Sequence, residues 1–349
     1  MTLVDDFFEP WERRIDSFDD INSVLTNLFE RWVAEGRVFA WRGAVHAAWP
    51  LHSSLYRRLL WTKPAQHNAL DERDLSREEA DVLKMVHQWG LHYGSTGRLS
   101  ILAQLATLQH FGAPTRLVDV TLNAYIGLWF AVEEKFENGE AVYEDCDGRL
   151  FAIDVTRRLI NEDDGRRAWE DDLSRPWKDL ATNEWPSTTW AWRPAAFQPR
   201  IAAQHGAFLL GGVPRTGLEL AWPKTTRPET GNWNIGDVRR CTSLPLRFHK
   251  AEPEAGGVGR GGQPAFTFRI TAAAKRDIRE RLTTVFGYSH GTIYPDYPGF
   301  AEFGTPRLKD RPPDADEEQN GDQAATARPS GGNRSALPRT TSRLGANVQ

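Results

Sequence analysis

The feature that most constrains the fold of this chain is a polar segment enclosed by apolar ones, at residues 109–131. Apolar residues flank it on both sides, so we expect much of the polar set to be buried or half-buried. Buried polar groups must be hydrogen-bonded and buried charges must be paired. The segment is therefore either a structural network or a functional site. Its polar members are Gln109, His110, Thr115, Arg116, Asp119, Thr121 and Asn123.

The composition is that of an ordinary globular protein. The chain has 349 residues, of which 40% are hydrophobic and 26% charged, and its formal net charge is -4. This charge argues against a nucleic-acid coat protein, which would be basic, but it leaves room for a local basic groove. Cys146 and Cys241 are too few for a disulfide framework or a zinc knuckle, so we expect a reducing compartment. The sequence carries no signal-peptide pattern and no apolar run of membrane-spanning length, which predicts a cytoplasmic protein without membrane contact.

Amphipathic patterns predict helices in the first half of the chain. Gly36 would cap the first helix at its C-terminus, and Ser76 with Glu79 would form a capping box at the start of the second. Thr121 or Asn123 would cap the helix that follows the polar segment. The predicted helices span residues 19–33, 76–92, 98–110 and 123–136, with a later one at 272–286.

Short apolar or alternating runs predict strands, most of them later in the chain. The clearest is at 266–271, where aromatic and aliphatic residues alternate with polar ones. Helices first and strands later predict an α+β domain, with N-terminal helices and a mixed, mainly antiparallel sheet. The other predicted strands lie at 38–41, 115–119 (a strand or turn), 150–155 and 207–210.

Three segments differ in composition from their surroundings. Residues 157–199 are rich in Trp and Pro with mixed charge, which indicates a long ordered insertion, and residues 251–264 form a Gly-rich loop. From about Thr305 onward the chain has almost no aromatic or β-branched residues. Such a tail cannot bury enough surface to offset its ordering entropy, so we predict that it is disordered.

Two motif spellings occur in contexts that argue against their chemistry. Residues 257–262 match the dinucleotide-binding pattern G-x-G-x-x-G, but a strand follows where that site needs a helix, so we interpret them as a loop. Residues 287–291 match the nucleophile-elbow pattern G-x-S-x-G, but a helix precedes them where the elbow needs a strand. A hydrolase with Ser289 as its nucleophile is a minor alternative. The spacing of His and Cys predicts no metal site.

Two further polar clusters accompany the segment at 109–131. Arg42 ends an apolar run and precedes Gly43, a placement that suits a guanidinium binding phosphate or carboxylate. The structural alternative is a buried ion pair with Asp119 or another acid. Gln204 lies just before a strand that we expect to be central, where its amide would bind either a ligand or loop backbone.

These three clusters, in this order, resemble the blocks of the FRG domain, a bacterial and phage family. The resemblance spans residues 36–304, which predicts a domain over that range. Residues 1–35 would then precede it as a helical lead, and residues 305–349 would follow it as a tail. Val120 and Ala124 depart from the Trp and Pro usual in the family, and both changes leave the polar set intact. The matching blocks are Phe39-x-Trp41-Arg42-Gly43 with Trp49-Pro50-Leu51 and Leu55-Tyr56-Arg57-Arg58; Gln109-His110-x-Gly112-x-Pro114-Thr115-Arg116-Leu117-x-Asp119-x-Thr121-x-Asn123 with Leu128–Ala131; Arg200-Ile201-x-x-Gln204-x-Gly206-x-Phe208; and Tyr294-Pro295-Asp296-x-x-Gly299.

A more distant resemblance links the same residues to ADP-ribosyltransferases. Arg42-Gly43 is similar to their first motif, Asp119-x-Thr121 to their second, and Gln204 to their third, which usually carries Glu. The resemblance implies catalytic roles for Arg42, Asp119, Thr121 and Gln204. It implies NAD as a substrate and no metal, with Arg42 on the NAD pyrophosphate or ribose. The implied NAD-binding residues are Trp41, Gly43, His110, Arg116 and Asn123.

The leading hypothesis is an NAD-dependent ADP-ribosyltransferase-like enzyme, a toxin or phage-defence effector that modifies a protein or nucleic-acid acceptor. Because Gln204 supplies only a dipole, an acid such as Asp119 or Asp296 would have to stabilise an oxocarbenium-like state. The alternative is a non-enzymatic binding module whose polar clusters are structural. Convergence of the clusters on an open cleft favours the enzyme, and their closure in ion pairs without a cavity favours the module.

Overall fold

The computed structural model describes residues 2–63, 70–94, 97–160, 188–194, 198–215, 222–250 and 264–308. Most of the predicted insertion at 157–199, nearly all of the Gly-rich loop at 251–264, and the predicted tail from residue 309 lie outside the described residues. No helix in the described part of the chain is long and apolar enough to cross a membrane.

The described residues form helices and strands in the following order. The helices are α1 (Leu3–Phe8), α2 (Phe18–Ala34), α3 (Ser54–Thr62), α4 (Glu72–Gln88), α5 (Ile101–His110), α6 (Ala124–Val132), α7 (Pro199–Ala203), α8 (Ile235–Cys241), α9 (Ala272–Phe286), α10 (His290–Ile293) and α11 (Tyr297–Gly299), with a 3-10 turn at Pro228–Thr230 and a π turn at Phe300–Gly304. The strands are β1 (Glu12–Ile15), β2 (Phe39–Ala44), β3 (Tyr93–Gly94), β4 (Gly97–Arg98), β5 (Val118–Thr121), β6 (Lys135–Glu137), β7 (Glu140–Val142), β8 (Gly148–Asp154), β9 (Thr189–Trp192), β10 (Gly206–Gly211), β11 (Arg247–Phe248) and β12 (Pro264–Ile270).

One mixed sheet organises these elements. Its strand order is β1-β12-β8-β2-β5-β10-β9, with β11 also paired to β12. The pairings of β12 with β1 and with β11 are parallel, and the other pairings in this sheet are antiparallel. The prediction of an α+β fold with a mixed, mainly antiparallel sheet is confirmed. The first 35 residues, predicted as a helical lead, also contribute β1 to this sheet.

Helices cover both faces of the sheet. On one face, α2, α6 and α9 enclose an apolar core with residues of β2, β8 and β12. On the other face, α1 and α8 cover the alternate residues of β2, β5 and β8. A third apolar cluster joins α5 to β9 and β10. Two apolar layers therefore hold the central strands rigidly in place, as a positioned site requires.

The middle of the sheet is weakly paired. Strand β2 pairs with β8 at every position from Phe39 to Ala44, but it pairs with β5 at one position, Trp41 opposite Thr121. Strand β5 in turn pairs with β10 along its whole length, from Val118 to Thr121. The sheet therefore consists of two well-paired parts that meet at a single residue pair.

Helix α6 packs unusually close to β2 and β8 because three glycines lack a side chain at the contact. A Cβ atom on Gly43 would lie 2.2 Å from the carbonyl oxygen of Gly127, and one on Gly148 would lie 2.3 Å from that of Ala131. A Cβ atom on Gly127 would lie 2.7 Å from that of Trp41. The direct helix-to-strand contact fixes β2, and with it the position of Arg42.

The predicted helices agree with the observed ones except at some ends. Helix α9 covers the predicted range 272–286, and Gly36 follows α2 with a φ of +64°. The predicted start at Ser76 is wrong, because Asp71 and Asp74 form a capping box that starts α4 at Glu72. The helix predicted to extend to residue 136 ends at Val132.

Candidate functional site

A cavity of about 430 Å³ opens beside the weakly paired middle of the sheet. This volume lies within the range of small-molecule sites. Strands β2, β5 and β10 contribute to its walls, together with α5 and α7. Its polar and charged lining residues are Arg42, Arg57, Gln109, His110, Asp119, Glu133, Lys135, Gln198, Arg200, Gln204 and Tyr294.

Arg42 lies within β2, which continues to Ala44 instead of ending at the predicted residue 41, and its side chain extends towards β5. Its Nη1 donates a 2.8 Å hydrogen bond to the carbonyl oxygen of Asp119 and lies 3.7 Å from the Oδ2 atom of that residue. One third of the Arg42 side chain is exposed. The guanidinium group is therefore held at one end, and its other donors are free to contact a ligand in the cavity.

Asp119 is held by the polar segment that precedes it. Its Oδ1 accepts a 2.7 Å hydrogen bond from Nε2 of Gln109, and the Gln109 carbonyl oxygen accepts one from the hydroxyl of Thr115. The Thr115 hydroxyl also accepts a 3.2 Å hydrogen bond from the backbone N–H of Leu117. This chain of bonds connects α5 to β5 and fixes the carboxylate at the border of the cavity.

The opposite wall of the cavity is tied to the C-terminal helices. Gln204 donates a 3.0 Å hydrogen bond from Nε2 to the carbonyl oxygen of Ile293. Arg200 makes a two-pronged ion pair with Asp296, through bonds of 2.7 and 2.6 Å. Although burial raises the pKa of Asp296, its hydrogen bonds from Arg200 and a backbone N–H lower it overall. Asp296 thus serves as the anion that positions Arg200.

His110 lies between these two walls. Its Nε2 is 4.0 Å from Oδ2 of Asp296, and it borders the cavity. Burial lowers the pKa of His110, as does the positive charge of Arg200, while Asp296 opposes the shift. The imidazole is therefore neutral at pH 7 and presents one donor and one acceptor nitrogen.

Sequence reasoning missed a carboxylate that borders the cavity, Glu133. It is 5% exposed; one of its oxygens accepts a 2.7 Å hydrogen bond from the Tyr294 hydroxyl, and the other forms an ion pair with Lys135 Nζ at 2.9 Å. Burial and the Glu133 charge raise the pKa of Tyr294 well above its ordinary value, so its hydroxyl stays protonated as a donor. The sequence signal was misleading, because Glu133 was assigned to the interior of a helix that ends one residue before it.

Arg57 was noted as part of a motif but not as a site residue. It lies on α3 and borders the cavity. Burial lowers its pKa, and the neighbouring guanidinium groups of Arg42 and Arg58 lower it further. In the described part of the chain, no carboxylate oxygen forms an ion pair with Arg57 within 4.0 Å. Two crowded guanidinium groups beside one cavity favour an anionic ligand.

Two of the predicted site residues organise the chain beneath the cavity instead of lining it. Thr121 is fully buried, and its hydroxyl accepts a 3.0 Å hydrogen bond from the backbone N–H of Asn123. Asn123 caps α6, since its Oδ1 accepts hydrogen bonds from the N–H groups of Tyr125 and Ile126. Neither residue lines the cavity, and the roles of Thr121 in catalysis and of Asn123 in NAD binding stay predictions. Of the two predicted caps, Thr121 or Asn123, the structure shows Asn123.

Arg116 is also a structural residue. Its side chain is 1% exposed and forms ion pairs with Glu79, at 2.6 Å, and Glu72, at 3.0 Å. Burial lowers its pKa, but the two carboxylates raise it more, so the group stays charged. Arg116 does not line the cavity. The buried guanidinium joins α4 to the start of β5, and this geometry lends no support to the prediction that Arg116 binds NAD.

Trp41 and Gly43 border the cavity, but their residue types have a structural reason. Trp41 is 2% exposed, and its ring packs in the apolar core within 6.3 Å of Trp32, Phe29 and Phe39. Gly43 is required by the close approach of α6. These two residues therefore fix the backbone beside Arg42, and since both border the cavity, their role as NAD contacts stays a prediction.

Ser289 has a local structural role. It caps α10, where its Oγ accepts a 3.3 Å hydrogen bond from the N–H of Thr292. Gly287 ends α9 in the left-handed conformation, with a φ of +70°. The chain here passes from helix to helix, and this geometry gives no support to a nucleophile elbow.

Three of the four predicted catalytic residues converge on the cavity: Arg42, Asp119 and Gln204. Of the predicted NAD-binding residues, Trp41, Gly43 and His110 border it as well. Residues 37–140 match the family model of the FRG domain. The FRG match therefore contains Arg42 and Asp119 and ends before Gln204, whereas the sequence blocks predicted a domain over 36–304. No curated protein and no solved structure matches the chain. Among the described residues, no group of three or more His, Cys, Asp or Glu side chains could hold a metal ion.

Proposed function

We propose that the cavity binds NAD and that the protein is an NAD-dependent ADP-ribosyltransferase-like enzyme. The observation that carries the proposal is the convergence of Arg42, Asp119 and Gln204, from three distant parts of the sequence, on one open cavity. A role as a toxin or phage-defence effector is the expectation that goes with the FRG resemblance. Because the clusters border an open cavity instead of being closed in ion pairs, the enzyme is favoured over the binding module.

The charges of the cavity are compatible with the pyrophosphate of NAD. Arg42 and Arg57 would bind its oxygens, since guanidinium groups form two-pronged, charge-assisted hydrogen bonds with phosphate. Neither arginine is enclosed by carboxylates in the way that Arg116 is. The pair thus has binding capacity that the protein itself does not use.

The aromatic lining is compatible with the two heterocycles of NAD. Phe130, Tyr294 and the 41% exposed Trp49 border the cavity and offer ring faces or edges. Neutral His110 and the carbonyl oxygen of Gln204 can accept hydrogen bonds from an amide, such as that of nicotinamide. Charged, aromatic and amide-binding groups thus all border one cavity of adequate size.

In the proposed reaction the bond between C1′ of the ribose and the nicotinamide nitrogen breaks. Nicotinamide leaves with the bonding electron pair, a nucleophile of the acceptor forms a bond to C1′, and the nucleophile loses its proton to solvent. Positive charge develops on the sugar, as in glycoside hydrolysis. We assign its stabilisation to Glu133, because an enclosed carboxylate acts through a lower effective dielectric constant than the 61% exposed Asp119.

The proposal is tested with NAD labelled on its adenylate phosphate and with Arg42→Ala. Wild-type protein should release nicotinamide and transfer label to a protein or nucleic-acid acceptor, and Arg42→Ala should lose most of both activities. Arg77→Ala removes an exposed arginine of α4 and serves as the matched control, with wild-type activity expected. If wild-type protein neither binds NAD nor releases nicotinamide, the proposal is wrong.

A non-enzymatic binding module is the second candidate. It is favoured by one observation, the commitment of the Gln204 amide and the Arg200–Asp296 pair to the C-terminal helices. These contacts hold the wall of the cavity without need of a reaction. Saturable NAD binding that raises the melting temperature, with no nicotinamide released over hours, would favour this module.

A further inference from the structure

A rim of basic and exposed aromatic side chains lies beside the cavity, and we define it as Arg57, Arg58, Trp61 and Phe111. Trp61 is 66% exposed and Phe111 is 74% exposed. Exposed large apolar rings that cluster with charges mark interaction sites more often than isolated surface residues do. The rim plays no part in the proposed binding of NAD except through Arg57.

Helix α3 carries one side of the rim. Arg57 and Trp61 are four residues apart, so they lie on the same helical face. The guanidinium carbon of Arg57 is 5.5 Å from the centroid of the Trp61 ring. Since Arg57 also borders the cavity, Trp61 is connected to the cavity through its contact with Arg57.

The turn after α5 carries the other side. Arg58 donates a 3.2 Å hydrogen bond from Nη2 to the carbonyl oxygen of Gly112, which fixes α3 against this turn. The ring of Phe111 lies 5.0 Å from that of His110, a cavity residue. Both exposed rings are thus joined to the cavity through a direct neighbour.

The two arginines of the rim form no ion pair among the described residues, and the nearest acidic influence on Arg57 is the longer-range charge of Asp119. Helix α3 contains no acidic residue. Within the described residues, neither Arg57 nor Arg58 has a carboxylate oxygen within ion-pair distance. In a chain with a net charge of -4, two arginines without acidic partners beside a cavity are complementary to an anionic partner.

We propose that the rim binds single-stranded nucleic acid, with bases stacked on Trp61 and Phe111 and phosphates paired with Arg57 and Arg58. Aromatic faces combined with basic side chains are the means by which proteins hold single strands. An acidic peptide would satisfy the charges but would leave the two rings without a planar partner. The use of the bound strand as acceptor rests on the proposed ADP-ribosyl transfer, whereas its binding does not.

The test measures binding of fluorescein-labelled oligothymidylate and oligouridylate to the full chain by fluorescence anisotropy, without NAD. Duplex DNA and oligoglutamate are the competing probes, and the two single strands distinguish DNA from RNA. We expect single strands to bind more tightly than either competitor, and Trp61→Ala and Phe111→Ala each to weaken binding about tenfold or more. Arg58→Ala should lower the slope of log affinity against log salt concentration by about 0.7.

Two matched variants control for general effects of losing an exposed side chain. Trp89→Ala removes a 79% exposed tryptophan at the end of α4, and Arg276→Ala removes an exposed arginine of α9. Neither residue borders the cavity. Both variants should bind single strands as the wild type does. Equal losses in rim and control variants would overturn the inference, as would an absence of single-strand binding or tighter binding of oligoglutamate.

Nicotinamide release, measured separately, distinguishes a failure of this inference from a failure of the proposed function. Release without single-strand binding overturns the rim assignment and leaves the NAD reaction in place. Single-strand binding that depends on Trp61, without nicotinamide release, supports the rim and overturns the reaction. Strand binding and nicotinamide release are measured with different ligands, so the outcome of one does not determine the outcome of the other.

Discussion

Arg42 contacts the backbone of Asp119 more closely than it contacts the carboxylate of that residue. The guanidinium Nη1 is 2.8 Å from the Asp119 carbonyl oxygen but 3.7 Å from Oδ2. The carboxylate is bonded to Gln109 instead, at 2.7 Å. We therefore expect the orientation of Arg42 to depend mainly on the path of β5 and less on the charge of Asp119.

The first prediction separates the two carboxylates of the cavity. Glu133→Gln should lower the rate of nicotinamide release at saturating NAD by about 100-fold, equivalent to roughly 2.7 kcal/mol, because it removes the enclosed negative charge. Asp119→Asn should lower it less than about tenfold, since Arg42 keeps its backbone contact. Fixed-time assays of released nicotinamide measure the rates of both variants, and their melting temperatures check that they fold. A larger loss in Asp119→Asn than in Glu133→Gln would contradict the assignment.

The second prediction concerns the contact between β2 and α6. Gly43→Ala should destabilise the protein by about 3 kcal/mol or more, because its Cβ would lie 2.2 Å from backbone of α6 that cannot move independently. Gly206→Ala is the control, since its Cβ would meet its nearest atoms at 3.4 Å. Urea denaturation should show a small change for Gly206→Ala. Comparable midpoints for the two variants would show that α6 does not pack as described.

The third prediction tests the structural role of Arg116. Arg116→Ala should destabilise the protein by about 3–5 kcal/mol, because it leaves Glu72 and Glu79 buried without a partner. Arg77→Ala breaks an exposed ion pair with Asp74 on α4, the helix that carries Glu72 and Glu79. It should lower the free energy of unfolding by less than about 1 kcal/mol. Chemical denaturation measures both. A mild effect of Arg116→Ala would be incompatible with an enclosed ion pair.

The sequence predicted the local features of the fold well. The sequence pattern located α2, α5 and α9, and Asn123, the N-cap of α6, was one of the two predicted caps. Local signals suffice there because helix periodicity and capping depend on residues three or four apart. The start of α4 was missed because a stronger capping box lies five residues before Ser76.

The composition of the site was harder to predict, because it depends on contacts between distant residues. Polar residues of one segment separate into different environments: Asp119 reaches the cavity, while Arg116 is enclosed by acids from α4. Glu133 acquires its environment from Tyr294, which is 161 residues away in the chain. The order of clusters in a sequence indicates that they converge, but not which side chains of each cluster face the cavity.

The last prediction concerns a buried histidine outside the cavity. His52 is 6% exposed and its Nε2 donates a 2.9 Å hydrogen bond to the carbonyl oxygen of Arg239. Burial lowers the pKa of His52 to about 3, despite the opposing effect of that bond. His52 of the unfolded chain binds a proton near pH 6.5, whereas His52 of the folded chain does not. The contribution of the neutral, buried His52 to the free energy of unfolding is therefore fully present above pH 6.5. It is lost as the pH falls from 6.5 towards 3.

Comparison of wild type with His52→Gln isolates this contribution, since glutamine keeps an N–H donor for the Arg239 carbonyl oxygen but does not titrate. Between pH 7.5 and pH 5 the wild type should lose about 2 kcal/mol more stability than the variant. Urea denaturation at each pH measures the difference, and groups that titrate in both proteins cancel. Parallel losses in the two proteins would mean that His52 is protonated in the folded state and that its surroundings admit water.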